Sequence, residues 1–500
     1  MKFLVNIAGH FKSKFQGLKS RPFDFRQQTR DISRTDSGIL NNSGNKNEHN
    51  ASSLAYFRVF FGFMMLYSSL RFLAKGWVNQ LYVDTTFHFK YWGFEWVEPL
   101  GNLGTHALFI AIAIAAFMVM IGWFYQIAIV IFFILFSYAE LIDATNYLNH
   151  YYFISIVAFM LIWLPANTAF SIDALKNPSL RKIEIPKWNL NVLKLQIGLV
   201  YFFAGVAKLN YDWLIEAEPL YHWLRSKYDF PILGPLFQYK ATAYFFSWSG
   251  CLYDLSIPFL LLYKRTRPLA FAAVVLFHII TRLLFPIGVF PFVMIGSATL
   301  FFSSHWHKAV LTWIGQRFRV QSPINGYRRL KLHIQSLNPQ PKKKLQIRNT
   351  LLKPIFIIHF IIQLALPFRH VLYSSNLYWS EEGYRFSWRV MLTDKAGVAF
   401  FKVKDELGKE TLVNLDQYLT ERQQKYVATN PDFMVQMAKH IKSDFETKGY
   451  KNPKVFVESY LNLNGKGSQA FTNSKIDIAN QNWGLKPKNW ILSPNFNKES

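Results

Sequence analysis

Apolar residues in this chain fall into long blocks instead of alternating singly. Segments at 54–73, 106–121, 124–139, 151–164, 192–207, 243–262, 269–285, 287–302 and 355–371 are dominated by Phe, Leu, Ile, Val and Ala. Runs such as Ala107–Ile121 and Ile127–Phe136 hold no charge at all. Blocks of this kind read as membrane spans, because a hydrocarbon layer of about 30 Å needs about 20 apolar residues in a helix. The pattern predicts an all-α polytopic membrane bundle with about eight or nine transmembrane helices. Several blocks are shorter than an ideal span, which leaves their ends loose.

Beyond residue 371 the pattern changes. Val398–Leu415 has two β-rich runs around Leu-Gly-Lys and predicts a hairpin. Helical periodicity follows over 416–447, and Lys454–Leu463 alternates apolar and polar residues as a half-buried strand does. The reading is a basic cytoplasmic arm at 1–50, a transmembrane domain at 51–371, and a small extracytoplasmic α+β domain at 372–500.

Charge supports the orientation. The net charge is +26, with 51% hydrophobic and 17% charged residues. With the arm inside, the basic loops at 165–191, 263–268 and 303–354 all fall on the cytoplasmic side, and no Asp or Glu occurs from Ser304 to Pro354. That is the positive-inside distribution, so the basic excess points to loops and anionic lipid, not to nucleic acid. Cys251 is the single cysteine, which excludes an internal disulfide. The first 50 residues lack an apolar signal core, so the first span is expected to insert the chain.

The same walk sorts the polar groups that a bilayer tolerates poorly. Asn149 and His150 open the fourth span at its outer end, Lys208 closes the fifth, His278 lies inside the seventh and His370 ends the ninth. Each has a bland reading: Lys208 snorkels to the headgroups, His150 sits at the interface, His278 packs helices. Intramembrane ionisable residues more often face an interior cavity, and these share the outer half of the bundle. In an apolar, partly dry pocket the charged form of Lys208 is disfavoured, so the neutral amine is expected there as a usable base, with His and Asn near enough to stabilise an oxyanion. No metal site is expected, since one Cys and the pair His305 and His307 make no ligand set.

Five segments carry a family resemblance. TNYLNHYYFISIVAFMLIWLPAN (Thr145–Asn167), YFFAGVAKLNYDW (Tyr201–Trp213), FHIITRLLFPIGVFPFVM (Phe277–Met294), LPFRHVLYSSNLYWSEEGYRFSWRVML (Leu366–Leu392) and YWGFEWVEPL (Tyr91–Leu100) resemble, in order, segments of vitamin K-dependent gamma-carboxylases, within the horizontally transferred transmembrane (HTTM) family. The resemblance implies an enzyme that oxidises reduced vitamin K (phylloquinol or menaquinol) with O2 to the epoxide. It couples this to adding CO2 at the γ-carbon of glutamate in a protein or peptide substrate, with no metal. It implies Lys208 as the base toward the quinol, with His150 and Asn149 stabilising the anion. His278 and His370 would line the cofactor pocket, and Trp379, Tyr384 and Trp388 would seat the substrate glutamate. The lysine pair of the family is here Ala207–Lys208, its second position retained. The chain ends soon after Trp490, without the further C-terminal region and cysteines of animal members, so a bacterial inner-membrane protein with a periplasmic outer face is expected. A quinol-dependent oxygenase without peptide carboxylation, and a noncatalytic membrane protein of the same family, are the alternatives.

Overall fold

The structure, a computed structural model, describes residues 48–317 and 342–496; the arm and the middle of the last basic loop lie outside the described residues. All nine apolar segments form helices. They are α1 (Ser52–Ala74), α2 (Gly101–Ile121), α3 (Tyr125–Leu141), α4 (Asn149–Trp163), α5 (Trp188–Ala207), α6 (Lys240–Leu262), α7 (Arg267–Leu284), α8 (Phe290–Ala298) and, after the basic helix α9 (Ser304–Arg317), α10 (Lys342–Ala365). Among the described residues, α1, α2, α5, α6, α7 and the segment Leu352–Leu372 are long and apolar enough to cross a membrane. The other three fall short by length: the 15 residues of α4 rise only about 22 Å, against about 30 Å of hydrocarbon. α3 and α4 still belong to the bundle interior, since Phe132, Ile154 and Leu161 are fully buried in its main core.

The C-terminal part is an antiparallel sheet with two helices. β1 (Lys395–Lys404), β2 (Glu410–Leu412), β3 (Lys454–Leu463) and β4 (Ser468–Ala470) take the order β2-β1-β3-β4. The hairpin pairs Lys404 with Glu410, and Gly408 turns it at φ +80°, a conformation that favours glycine. The alternation of β3 puts Val455, Val457, Leu461 and Leu463 inward against Met434, Ala438 and Ile441. The continuous helix expected over 416–447 is two helices, α11 (Glu421–Thr429) and α12 (Pro431–Thr447). Pro431 cannot sit inside a helix but suits a first turn, and Asn430 caps α12 by accepting from Phe433 N–H at 3.3 Å.

This domain is seated on the bundle by specific polar contacts. Arg422 donates to Asn146 Oδ1 at 2.6 Å and Thr145 O at 2.9 Å, and Gln423 donates to Phe87 O at 2.7 Å. Gln436 exchanges two hydrogen bonds with the Lys90 backbone. The aromatic loop before α2 sends Phe89, fully buried, into the core of the domain.

Candidate active site

α5 and α6 meet with almost no space between them. A Cβ on Gly205 would stand 2.8 Å from the backbone nitrogen of Leu255, so only glycine permits that approach. One turn away, Lys208 ends α5 and turns its side chain inward, 6% exposed. Its Nζ donates to Asp254 Oδ2 at 2.7 Å and to Ala204 O at 3.3 Å. Trp213 lies 5.5 Å from the amine and is itself fixed, its Nε1 donating to Ser247 O at 3.0 Å. The amine is thus inside the bundle and not snorkelling. It is paired with Asp254, a partner that the sequence reading did not include, because α6 places a carboxylate opposite it.

The pair lies on the wall of a cavity of about 350 Å³ whose lining is otherwise mostly apolar. His278 is on the same wall, its Nε2 3.1 Å from the Tyr201 hydroxyl. Its Nδ1 is buried without a hydrogen-bond partner among the described residues. Tyr253 stacks on Phe277 at 4.2 Å, bridging α6 and α7. Lipid-facing residues of those two helices, Phe245 (68% exposed) and Leu276 (61% exposed), also line the cavity. Val390 and Met391, just beyond Trp388, line it too. A ring-shaped apolar molecule with polar oxygens fits this wall: aromatic faces for the ring and the Lys208–Asp254 pair for the oxygens.

The remaining expected residues spread around this centre. His150 contacts Phe290 at 5.5 Å and His278 contacts the same ring at 6.0 Å, so Phe290 connects the two imidazoles. Asn149 donates to Arg389 O at 2.9 Å and accepts from the Tyr147 hydroxyl at 3.0 Å; it holds the outer segment. His370 faces Arg389, whose Nη2 is 3.1 Å from its Nδ1. The same nitrogen is 3.0 Å from Pro367 O, so it donates to the carbonyl or accepts from the guanidinium according to its tautomer. Gly383, at φ +82°, lies so close that a Cβ would stand 2.7 Å from the His370 backbone. None of Asn149, His150 and His370 lines the cavity.

Trp379 and Trp388 are core residues, each 1% exposed. Trp379 donates to Leu492 O at 2.8 Å and packs on Phe471, while Trp388 stacks on Tyr152. Tyr384 is half-buried against Tyr378. The segment carries Val390 and Met391 to the cavity; Phe386, Trp388 and Met391 all take positive φ on the way. Such backbone is held only where packing over-determines it. Asp254 was missed in the sequence, although a lone acid inside an apolar span is a readable signal.

A family model of the HTTM domain matches residues 46–306, and one of the vitamin K-dependent gamma-carboxylase lumenal domain matches 348–497. The chain belongs to the vitamin K-dependent gamma-carboxylase family. The first match ends within α9 and the second begins within α10, so the gamma-carboxylase lumenal match takes in most of the last membrane helix as well as the sheet domain. No solved structure matches the chain. The gamma-carboxylase fold therefore consists here of a membrane bundle with an extracytoplasmic domain.

Proposed function

We propose that the protein is a membrane gamma-glutamyl carboxylase that couples oxidation of reduced vitamin K to addition of CO2 at the γ-carbon of a protein glutamate. The observation that carries this reading is the buried amine of Lys208 on a mostly apolar cavity between membrane helices, in a chain with both domains of the family. When bound, phylloquinol or menaquinol would supply, with O2, the strong base needed to remove the γ-proton of glutamate before CO2 addition. Lys208 receives the hydroxyl proton of the quinol. His278, held by Tyr201 on the cavity wall, would orient the ring. His150 shapes the far side through Phe290, and Asn149 and His370 position Arg389 and the outer segment.

The peptide is placed at the extracytoplasmic side. The segment of Tyr384 and Trp388 sets Val390 and Met391 on the cavity wall. It also contributes Arg385, with Arg369, to a second cavity of about 190 Å³ on the outer domain. Three acids line it as well, Glu381 with Lys395 at 3.0 Å, and Asp432 and Glu382 with Lys488 at 3.2 Å and 4.0 Å; the two arginines would be the groups that meet an acidic peptide.

A quinol-dependent oxygenase without peptide carboxylation is the second reading; the burial of Trp379 and Trp388 favours it, since neither presents a surface to a peptide. Purified protein in lipid discs, given reduced vitamin K, O2, labelled bicarbonate and a glutamate peptide, separates them. Label in the peptide is expected. Epoxide without label selects the oxygenase, and absence of both products refutes a quinol-oxidising enzyme.

A further inference from the structure

Giving Lys208 the role of base raises a difficulty that the structure itself resolves; the inference rests on the proposed function. An ammonium has no lone pair and takes no proton, and a carboxylate 2.7 Å away attracts the charged form of an amine. Lys208 therefore needs somewhere to put its own proton before it can remove one from a quinol. Trp213, Ala204 O and Asp254 are its neighbours, and Asp254 alone among them binds a proton. Asp254 also lines the cavity and is 4% exposed, and among the described residues no other cation pairs with it.

We propose that Asp254 is the proton acceptor that frees the Lys208 amine. Exchange along the hydrogen bond converts ammonium and carboxylate into amine and carboxylic acid; no proton passes to solvent and net charge is unchanged. In a cavity with few polar groups the neutral pair escapes the desolvation penalty of two buried ions, which offsets the lost attraction. The amine then takes the quinol hydroxyl proton: the new N–H bond forms as the O–H bond breaks, and the electron pair stays on the quinol oxygen. The wall now holds one ammonium, one oxyanion and a neutral acid. Without the exchange the amine would have no lone pair and no oxyanion would form. The alternative is that the pair only clamps α5 to α6, as the Gly205–Leu255 contact does a turn away.

Replacing Asp254 by Asn keeps the shape and a hydrogen-bond acceptor for Lys208 but removes the proton acceptor. Asp254→Asn is expected to oxidise quinol about 100-fold more slowly, the usual scale for losing an acid–base group, while melting close to wild type. Asp254→Glu is expected to restore most of the rate. An Asn variant within threefold of wild type overturns the proposal. A second measurement does not depend on turnover. Reduced vitamin K added to wild-type protein without O2 should raise the infrared carbonyl band of a protonated carboxylic acid, and Asp254→Asn should lack it. No such band in quinol-loaded wild type also overturns the proposal. If the band rises but wild type forms no epoxide under O2, the proposed function fails while the exchange stands. Epoxide formed equally by the Asn variant leaves the function and removes the exchange.

Discussion

Lys466 joins the outer domain to the membrane part through Asp212, its Nζ 2.6 Å from Oδ1. Asn464 donates to the other oxygen of the same carboxylate at 2.8 Å, and Glu216 stands 3.1 Å from the amine. Asp212 lies one residue before Trp213, the ring beside the Lys208 amine. The β3–β4 turn therefore grips the loop that frames the site. With both partners about one fifth exposed, each contact is worth about 1 kcal/mol. Lys466→Met should lower the melting temperature by a few degrees. Combined with Asp212→Asn it should show a coupling that each change alone lacks, measured as a double-mutant cycle.

Lys208→Ala should abolish epoxide and labelled peptide together, since both products follow from one deprotonation. Lys208→Arg should not rescue either, because a guanidinium keeps its proton. Normal epoxidation by the Ala variant would remove Lys208 from the chemistry. Chromatography of the quinone products and counting of the peptide measure the two outcomes.

Trp379 stands at the centre of the outer domain. Its replacement by Ala should cost about 3–5 kcal/mol by cavity formation, and Phe should cost less. The expected signature is a large drop in unfolding temperature with KM for the peptide little changed in whatever protein remains folded. A large KM increase with normal stability would instead return Trp379 to the substrate.

Glu381 is largely buried, which alone pushes its carboxyl up; Lys395 at 3.0 Å, Arg385 and a hydrogen bond from Asn430 at 2.6 Å outweigh burial and hold it below the ordinary glutamate value. Its contribution to stability is complete above the unfolded value of about 4.3 and is lost as pH falls through the lower folded value. Glu381→Gln should therefore be less stable than wild type at neutral pH, with the gap shrinking below about pH 4. Denaturant unfolding of the two proteins across acidic pH checks the convergence.

The nine helices were legible because burial in lipid demands apolar blocks, and nothing else in the chain mimics them. Strand β3 was legible from end to end, since its alternation faces one core. The break at Asn430–Pro431 was missed because amphipathic periodicity carries on across it, although the Asn-Pro pair is itself a cap signal. At the site, the sequence brought out Lys208 and His278 because they are conspicuous in apolar surroundings. It did not supply Asp254, whose importance arises from helix crossing at Gly205. Trp379 and Trp388 show the converse limit: large aromatic residues serve equally as core and as binding surface, and only packing distinguishes them.

The exposed positions of Phe245 and Leu276 on the cavity wall bear on how such a protein meets its small-molecule partner. A compartment whose threshold is made of acyl-chain-facing side chains samples molecules dissolved in the two-dimensional phase around it. Saturation is then governed by mole fraction per lipid, and adding empty vesicle or micelle at constant total quinol should slow turnover as dilution would.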